Sequence, residues 1–247
     1  MLFLNQSAFC LCFVPHKNGA AVTFALESAN IVGYQMIKVP SGFTLFTPTF
    51  KGVGGELDLT TISICDENGT ELSLYNEVGI QKMDASGAYL DTYGFCPDVG
   101  GWNIDFAVIE ANDVTFKVGE TICVANDSGA DVYFKVSGEV DLINKNLVGQ
   151  GFVLWGNSTP VEIDLTDVSV VDAEGNELPL YNEVGVQKMS ADGAYLEGYG
   201  FCPDVGGWNI DFAAIEKGDF TLKPGEAVCV ANDCGQDIYF KLPSPIK

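Results

Sequence analysis

The chain contains an internal duplication that covers more than half of its length. Residues 72–136 align with residues 178–242 at a constant offset of 106 without a gap, and about 47 of the 65 positions are identical. The segment YGFCPDVGGWNIDFA, residues 93–107, recurs unchanged 106 residues later. Repeats of this length are whole domains, since solenoid units run to about 20–50 residues. We therefore predict two tandem homologous domains, residues 30–140 and residues 141–247.

Each repeat carries the pattern of short β-strands. Runs rich in Val, Ile, Thr, Tyr and Phe alternate with turn signals at the spacing of about 8 to 12 residues that is typical of β-sandwiches and barrels. Residues 122–125 and 131–136 are predicted strands around a turn at 126–129. Helical periodicity is weak, and only residues 105–113 and their counterparts offer a helical turn. The sequence predicts an all-β fold: two tandem homologous β-sandwich or barrel-like domains of about 105 residues each.

The basic residues of the chain restrict its chemistry. All 12 are lysine, and the single histidine is His16. If His16 is removed with a leader, the mature protein has no Ser/His/Asp or Cys/His nucleophile, no histidine-ligated zinc or iron and no arginine clamp on phosphate. The net charge of −22 repels nucleic acid and anionic membranes, which are bound mainly through Lys and Arg. We expect no nucleic-acid partner.

The N-terminal segment resembles a secretory leader. Residues 1–25 contain no acid, include the apolar stretch Ser7–Val14, and end with small residues at Thr23 and Ala25, the positions that a leader peptidase prefers. We predict a leader peptide over residues 1–25 and a secreted or cell-surface location. A mis-assigned start codon and an ordinary N-terminal strand are the alternatives. No run of 18 or more apolar residues follows, so we expect no membrane span.

Six cysteines follow the predicted leader, and an even number suits an oxidising compartment. Four of them occupy equivalent positions in the two repeats, which predicts one intradomain disulfide per repeat. The predicted pairs are Cys96–Cys123 and Cys202–Cys229. Cys65 and Cys234 have no counterpart, and they either pair with each other or stay free. The alternative is six reduced, buried thiols.

The repeated segment is the densest candidate binding site. Aromatic faces beside carboxylate and amide groups bind sugars, since rings stack on C–H surfaces while Asp and Asn bond to hydroxyls. The candidate ligand-binding residues are Tyr93, Asp98, Trp102, Asn103 and Asp105, with their counterparts Tyr199, Asp204, Trp208, Asn209 and Asp211. The structural alternative places Trp102 and Phe106 in the core and Asp98 in a turn.

The same segment offers few metal ligands. Asp98, Asn103 and Asp105 are oxygen donors within eight residues, and calcium is the ion that such donors would suit. The calcium-loop pattern D-x-[DN]-x-[DN]-G is absent. We expect no metal site and no cofactor.

Several short motifs resemble a known group of proteins. They are N-I-V-G-Y at 30–34, P-S-G-F-T-L at 40–45, G-W at 101–102 and 207–208, V-G-E at 118–120, P-G-E at 224–226 and F-K-V-S-G-E-V at 134–140. Together they are similar to exported bacterial tandem β-repeat proteins of uncharacterised function. The resemblance covers nearly all of residues 29–247, although the closing motif is absent from the second copy. It implies export and a tandem β architecture, and it implies no catalytic residue.

These observations favour binding over catalysis. We expect a non-enzymatic, secreted or cell-surface structural or adhesive protein, with glycans or cell-envelope and matrix components as partners and self-association as a further possibility. The alternative is a bivalent carbohydrate-binding module that uses Trp102 and Trp208. A glycoside hydrolase that works with carboxylates is a third hypothesis. It is the weakest, because two near-identical copies of a complete active site in one chain would be unusual.

Overall fold

The computed structural model describes residues 32–52, 55–83, 89–140, 145–190 and 194–243. The predicted leader, residues 1–25, lies outside these ranges. The described residues form β-strands and short 3-10 turns, and no α-helix occurs among them. The all-β prediction is therefore confirmed. Within the same ranges, we find no helix of the length and apolarity needed to cross a membrane.

The strands of the first repeat are β1 (Val32–Val39), β2 (Gly42–Phe46), β3 (Leu57–Asp58), β4 (Ser63–Cys65), β5 (Val78–Met83), β6 (Tyr89–Cys96), β7 (Gly101–Ile104), β8 (Ala107–Val108), β9 (Thr115–Phe116), β10 (Ile122–Asn126) and β11 (Val132–Glu139). The 3-10 turns of this repeat are Leu59–Thr61 and Pro97–Val99.

The strands of the second repeat are β12 (Lys145–Val148), β13 (Gly151–Gly156), β14 (Ile163–Asp164), β15 (Ser169–Val171), β16 (Val184–Met189), β17 (Tyr195–Cys202), β18 (Gly207–Ile210), β19 (Ala213–Ala214), β20 (Thr221–Leu222), β21 (Ala227–Asn232) and β22 (Ile238–Lys241). Its 3-10 turns are Leu165–Asp167 and Pro203–Val205.

The two repeats have the same antiparallel sheet topology. In the first, a three-stranded sheet has the order β1-β11-β4, a six-stranded sheet has the order β2-β10-β5-β6-β7-β8, and β3 pairs with β9. In the second, the corresponding orders are β12-β22-β15, β13-β21-β16-β17-β18-β19 and β14-β20. The sequence duplication thus folds twice in the same way.

A hydrophobic core lies between the two larger sheets of each repeat. Alternate residues of β11 are buried, and Phe134 contacts the rings of Phe46 and Trp102 at centroid distances of 5.2 and 6.1 Å. Phe46 and Trp102 belong to the six-stranded sheet, so these contacts join one sheet to the other. The second repeat has its own cluster, in which Phe240 contacts Trp155 at 4.8 Å. One face of each sheet is therefore buried, as in a sandwich.

The predicted strands at 122–125 and 131–136 are present, but they do not pair with each other. β10 pairs with β2 and β5, whereas β11 pairs with β1 and β4. The turn between them carries the chain from one sheet to the other. Buried Asn126 holds that turn, because its side-chain amide donates to the carbonyls of Val39, Pro40 and Ala130.

The helical turn offered by residues 105–113 is absent. The structure has instead a tight turn at Asp105 and Phe106, with φ angles of 50° and 63°, followed by the short strand β8. Both φ angles lie in the left-handed region, as a two-residue type I′ hairpin turn requires of its two central residues, and Ile104 pairs with Ala107 across this turn. The turn therefore reverses the chain without a helix.

The two repeats contact each other reciprocally through the V-G-E and P-G-E turns. A Cβ added at Gly119 would lie 3.5 Å from the side chain of Asn146, and one added at Gly225 would lie 3.0 Å from Ile37. Ile37 and Asn146 occupy equivalent register positions, opposite Phe134 and its counterpart in the second repeat. Each turn therefore lies on the first strand of the other repeat, as in a two-fold symmetric dimer.

Candidate functional site

The tryptophan rings predicted to stack on sugars are buried in the two cores. Trp102 is 3% exposed and donates from Nε1 to the carbonyl of Ile62 at 2.7 Å. Trp208 is equally buried and donates to the carbonyl of Val168 at 2.7 Å. Neither ring face is accessible to a ligand, so the structural alternative holds for both residues and they cannot form a stacking platform.

Asn103 also has a structural role. It is fully buried, and its Nδ2 donates to Asn76 Oδ1 at 2.9 Å and to the carbonyls of Gly94 and Gly101 at 3.1 Å. Its Oδ1 accepts hydrogen bonds from Asn76 Nδ2 at 3.2 Å and from the Phe106 backbone N–H at 3.0 Å. The hydrogen-bonding capacity of this amide is used within the fold. Asn209 makes the same contacts with Asn182 and Phe212 in the second repeat.

The other predicted ligand-binding residues do not converge on one pocket. Tyr93 packs partly buried against the core, and burial raises its pKa. Asp98 is exposed in the 3-10 turn, and Asp105 is exposed beside Phe106. Tyr199, Asp204 and Asp211 repeat these positions. A shallow groove that the nearly buried Trp102 borders is otherwise lined by residues such as Ile62, Glu71, Pro97, Gly100 and Ile109, and not by these acids. In the part of the chain that the structure describes, no three His, Cys, Asp or Glu side chains are grouped to hold a metal ion.

Each repeat instead displays a pair of exposed aromatic rings. Tyr75 is 63% exposed and Phe106 is 46% exposed, and their ring centroids lie 5.0 Å apart at an angle of 40°. Tyr181 and Phe212 have the same exposures, with a centroid distance of 4.8 Å and an angle of 37°. We call Tyr75–Phe106 and Tyr181–Phe212 the aromatic pairs. They present apolar surface to solvent at equivalent places in the two repeats.

Left-handed backbone positions hold the first aromatic pair in place. Asn76 has a φ of 63°, and Asp105 and Phe106 are left-handed as described above. Such conformations cost of order 1 kcal/mol or more each for non-glycine residues, and they cluster at functional sites. The buried contact between Asn76 and Asn103 connects the two segments that carry the rings, and the Asn76 backbone N–H donates to the Phe95 carbonyl at 3.0 Å. The fold thus positions two rings that its core does not use.

Carboxylates lie at the edge of each aromatic pair. Glu77 accepts a hydrogen bond from the Tyr75 backbone N–H, and Glu183 accepts one from the Tyr181 backbone N–H. Asp105 directly precedes the Phe106 ring in the chain. Each aromatic pair thus has ring faces, which stack on C–H surfaces, and a carboxylate bound to the backbone of its tyrosine, whose oxygens can also accept hydrogen bonds from hydroxyl groups. That combination is suited to binding.

Sequence reasoning missed the aromatic pairs. It placed Phe106 in the core in its structural alternative, and it did not select Tyr75 or Tyr181 at all. The segment YNEVG at 75–79 recurs at 181–185, but structural and functional residues are equally alike after a duplication. No local signal distinguishes an exposed ring from a buried one here, because the exposure follows from the left-handed turn.

The structure does not bring the predicted disulfide pairs together. Cys123 lies opposite Gln81, which lies opposite Thr92, four residues before Cys96. Cys96 and Cys123 are thus about 13 Å apart along the strands and two strands apart across the sheet, whereas a disulfide needs Cα atoms within about 7 Å. The second repeat has the same register for Cys202 and Cys229. The geometry argues against both intradomain disulfides, and the six cysteines that lie within the described residues are all free.

Cys65 and Cys234 have separate partners. Cys65 is buried, and its thiol donates to the Tyr133 carbonyl at 3.4 Å. The Cys234 thiol donates to Asn232 Oδ1 at 2.8 Å, as the Ser128 hydroxyl donates to Asn126 Oδ1 at 2.6 Å in the first repeat. Cys234 thus takes the place of a turn-forming serine.

The fold and the site define a class of protein, a tandem antiparallel β-sheet protein in which the aromatic pairs occupy equivalent exposed places in the two repeats. Comparison with family models, with curated proteins and with solved structures finds no match for this chain.

Proposed function

We propose that this chain is a non-enzymatic adhesive protein, secreted or attached to a cell surface, that binds its target through the two aromatic pairs. The observation that carries the proposal is the exposure of Tyr75 and Phe106 on a left-handed backbone, repeated at Tyr181 and Phe212. Exposed apolar rings that the core does not require are typical of interaction sites. The rings and their neighbouring carboxylates offer contacts that hold a ligand, which supports binding over catalysis.

Duplication of the site supports attachment to a repetitive target. Two linked sites raise the overall affinity by about 10²–10⁴ when both are engaged. The reciprocal contacts at Gly119 and Gly225 restrict the movement of one repeat against the other, which favours a fixed distance between the sites. A polymer or a surface with regularly spaced groups fits this arrangement.

A bivalent carbohydrate-binding module is the second candidate. The observation that favours it is the mixed character of each site, with ring faces next to Glu77 and Asp105 in the first repeat. Neutral glycans fit best, because the net charge of −22 repels acidic polymers. In this version of the hypothesis the aromatic pairs replace Trp102 and Trp208 as the stacking residues.

The experiment measures binding of the full chain to a glycan array and to cell-envelope and matrix fractions. The Tyr75→Ala/Phe106→Ala and Tyr181→Ala/Phe212→Ala double variants are each expected to weaken binding at least tenfold, and the quadruple variant to abolish it. Tyr34→Ala is the matched control, since Tyr34 is a 40% exposed tyrosine outside the aromatic pairs. Binding by a folded quadruple variant that equals wild type contradicts the proposal. Binding to envelope or matrix without any glycan hit favours adhesion to protein.

A further inference from the structure

Cys123 and Cys229, which are equivalent residues of the two repeats, meet in one buried cluster. Both thiols are 2% exposed, and they form an apolar cluster with Leu45. Phe43, Leu154, Met189 and Ala227 are partly buried around it. The cluster contains residues of both repeats and is separate from the two sandwich cores.

Strand geometry explains why these two cysteines meet. Ile122 and Val124 point into the core of the first repeat, so Cys123 between them faces away from that core. Val228 and Val230 flank Cys229 in its strand and point into the core of the second repeat, so Cys229 also faces away from its core. The two repeats contact each other reciprocally, as a two-fold dimer does. In such an interface, a residue of one half can lie next to the equivalent residue of the other half at the two-fold axis.

Two tyrosines accompany the thiols. The Tyr89 hydroxyl lies beside Cys123, and the Tyr195 hydroxyl lies beside Cys229. Burial raises the pKa of both thiols, that of Cys229 to about 11. Both cysteines are therefore protonated at neutral pH, and their oxidation is slow unless the pH is raised or the chain is still folding.

We propose that Cys123 and Cys229 are a cross-linking site, at which a disulfide joins the two repeats covalently. The oxidant is a small disulfide such as oxidised glutathione. One protein thiolate attacks a sulfur of the oxidant and releases one glutathione thiolate, and the second protein thiolate then attacks the mixed disulfide and releases the other. The protein loses two electrons and two protons, and the glutathione disulfide is reduced to two thiols.

The cross-link would close a loop of 106 residues that runs through the contact between the repeats. It would fix the contact between the V-G-E and P-G-E turns and the first strands. The inference concerns the joint between the repeats, and it does not depend on what the aromatic pairs bind.

The test oxidises the full chain in a Cys234→Ser background. Ser128 is the natural counterpart of Cys234, and the substitution leaves Cys229 as the only cysteine in its peptide after cleavage at lysine. The protein is incubated with oxidised glutathione at about pH 9, both folded and during refolding from denaturant. It is then denatured, alkylated, digested and mapped by mass spectrometry. We expect the peptide 118–135 linked to the peptide that contains Cys229 as the main disulfide product.

Matched variants separate this cross-link from other disulfides. Cys96→Ser/Cys202→Ser is expected to keep the linked peptide, whereas Cys123→Ser is expected to lose it. Oxidation is expected to raise the denaturant midpoint reversibly in the parent and to leave it unchanged in Cys123→Ser. Three results overturn the proposal. The first is that Cys123 and Cys229 are both still alkylated after oxidation of the folded protein and after oxidation during refolding. The second is a main product that links Cys123 to Cys96, and the third is the formation of mixed disulfides with glutathione only.

Discussion

The side-chain amides of Asn76 and Asn103 hydrogen-bond to each other in both directions, at 2.9 and 3.2 Å. Asn103 is fully buried, and its other hydrogen bonds reach the backbone on both sides of the pair. The contact joins the segment that carries Tyr75 to the segment that carries Phe106. Stability of the core and presentation of the candidate site therefore depend on the same buried amide.

Replacing Asn103 with alanine is expected to lower the free energy of unfolding by about 3 kcal/mol, because buried polar groups on Asn76 and the backbone lose their partner. Chemical denaturation measures the change, and Asn209→Ala should cost about as much. The exposed Gln236→Ala variant serves as control and should stay within about 0.5 kcal/mol of wild type. A similar small change for Asn103→Ala would show that the amide contact is not structural.

Substitution of Trp102 and of Trp155 by phenylalanine is expected to change the free energy of unfolding by different amounts. Trp102 Nε1 has an acceptor at 2.7 Å, whereas Trp155 Nε1 is buried without one among the described residues. Trp155→Phe removes an unsatisfied N–H and copies Phe46 of the first repeat, so its unfolding free energy should change by less than about 1 kcal/mol. Trp102→Phe should lower it by about 2 kcal/mol or more, since the hydrogen bond and packing are both lost. Equal losses in denaturant melts would contradict this distinction.

Gly94 is required by the close approach of Asn76. A Cβ added at Gly94 would lie 2.5 Å from Asn76 Oδ1, so Gly94→Ala should displace the amide pair and lower the unfolding free energy by about 2 kcal/mol. Gly149→Ala is the matched control, because the nearest atom to its added Cβ is 4.0 Å away. Thermal melts of the two variants give the comparison. Equal midpoints would show that Asn76 can move away from the added Cβ at little cost in stability.

Acid is expected to destabilise the fold through two equivalent turns. Hydrogen bonds from the Thr70 backbone and Asn68 hold the pKa of Asp66 below its usual value, and those from Asn176 do the same for Asp172. A lowered folded pKa contributes stability above the unfolded value, near 4, and that stability is lost as the pH falls through the folded value. Asp66→Asn/Asp172→Asn should therefore lose less stability than wild type between pH 5 and pH 2. Denaturant midpoints across this range test it, with the surface variant Glu162→Gln expected to follow wild type.

Much of the fold is readable from local sequence. The runs at 122–125 and 131–136 predict strands because β-branched and aromatic residues favour extended backbone, and β10 and β11 are found there. The signal is local, so it does not say that the turn after Asn126 crosses from one sheet to the other. That crossing depends on pairing partners more than 40 residues away in the chain.

The candidate site was harder to predict from the sequence than the fold. Trp102 and Phe106 lie four residues apart in one unchanged segment, yet the first is buried and the second exposed. Alternation along a strand would have placed them on the same face, and the left-handed turn at Asp105 breaks that alternation. The cysteine pairing failed for a related reason, since equivalence between repeats says nothing about register within one sheet.

The sequence by itself determined the duplication, the all-β class and the restricted set of side chains, because identity, strand propensity and composition are properties of the chain alone. Tertiary structure decided which rings reach solvent and which thiols meet. Those outcomes depend on strand register and on the contact between the repeats, both of which are set by packing between distant residues.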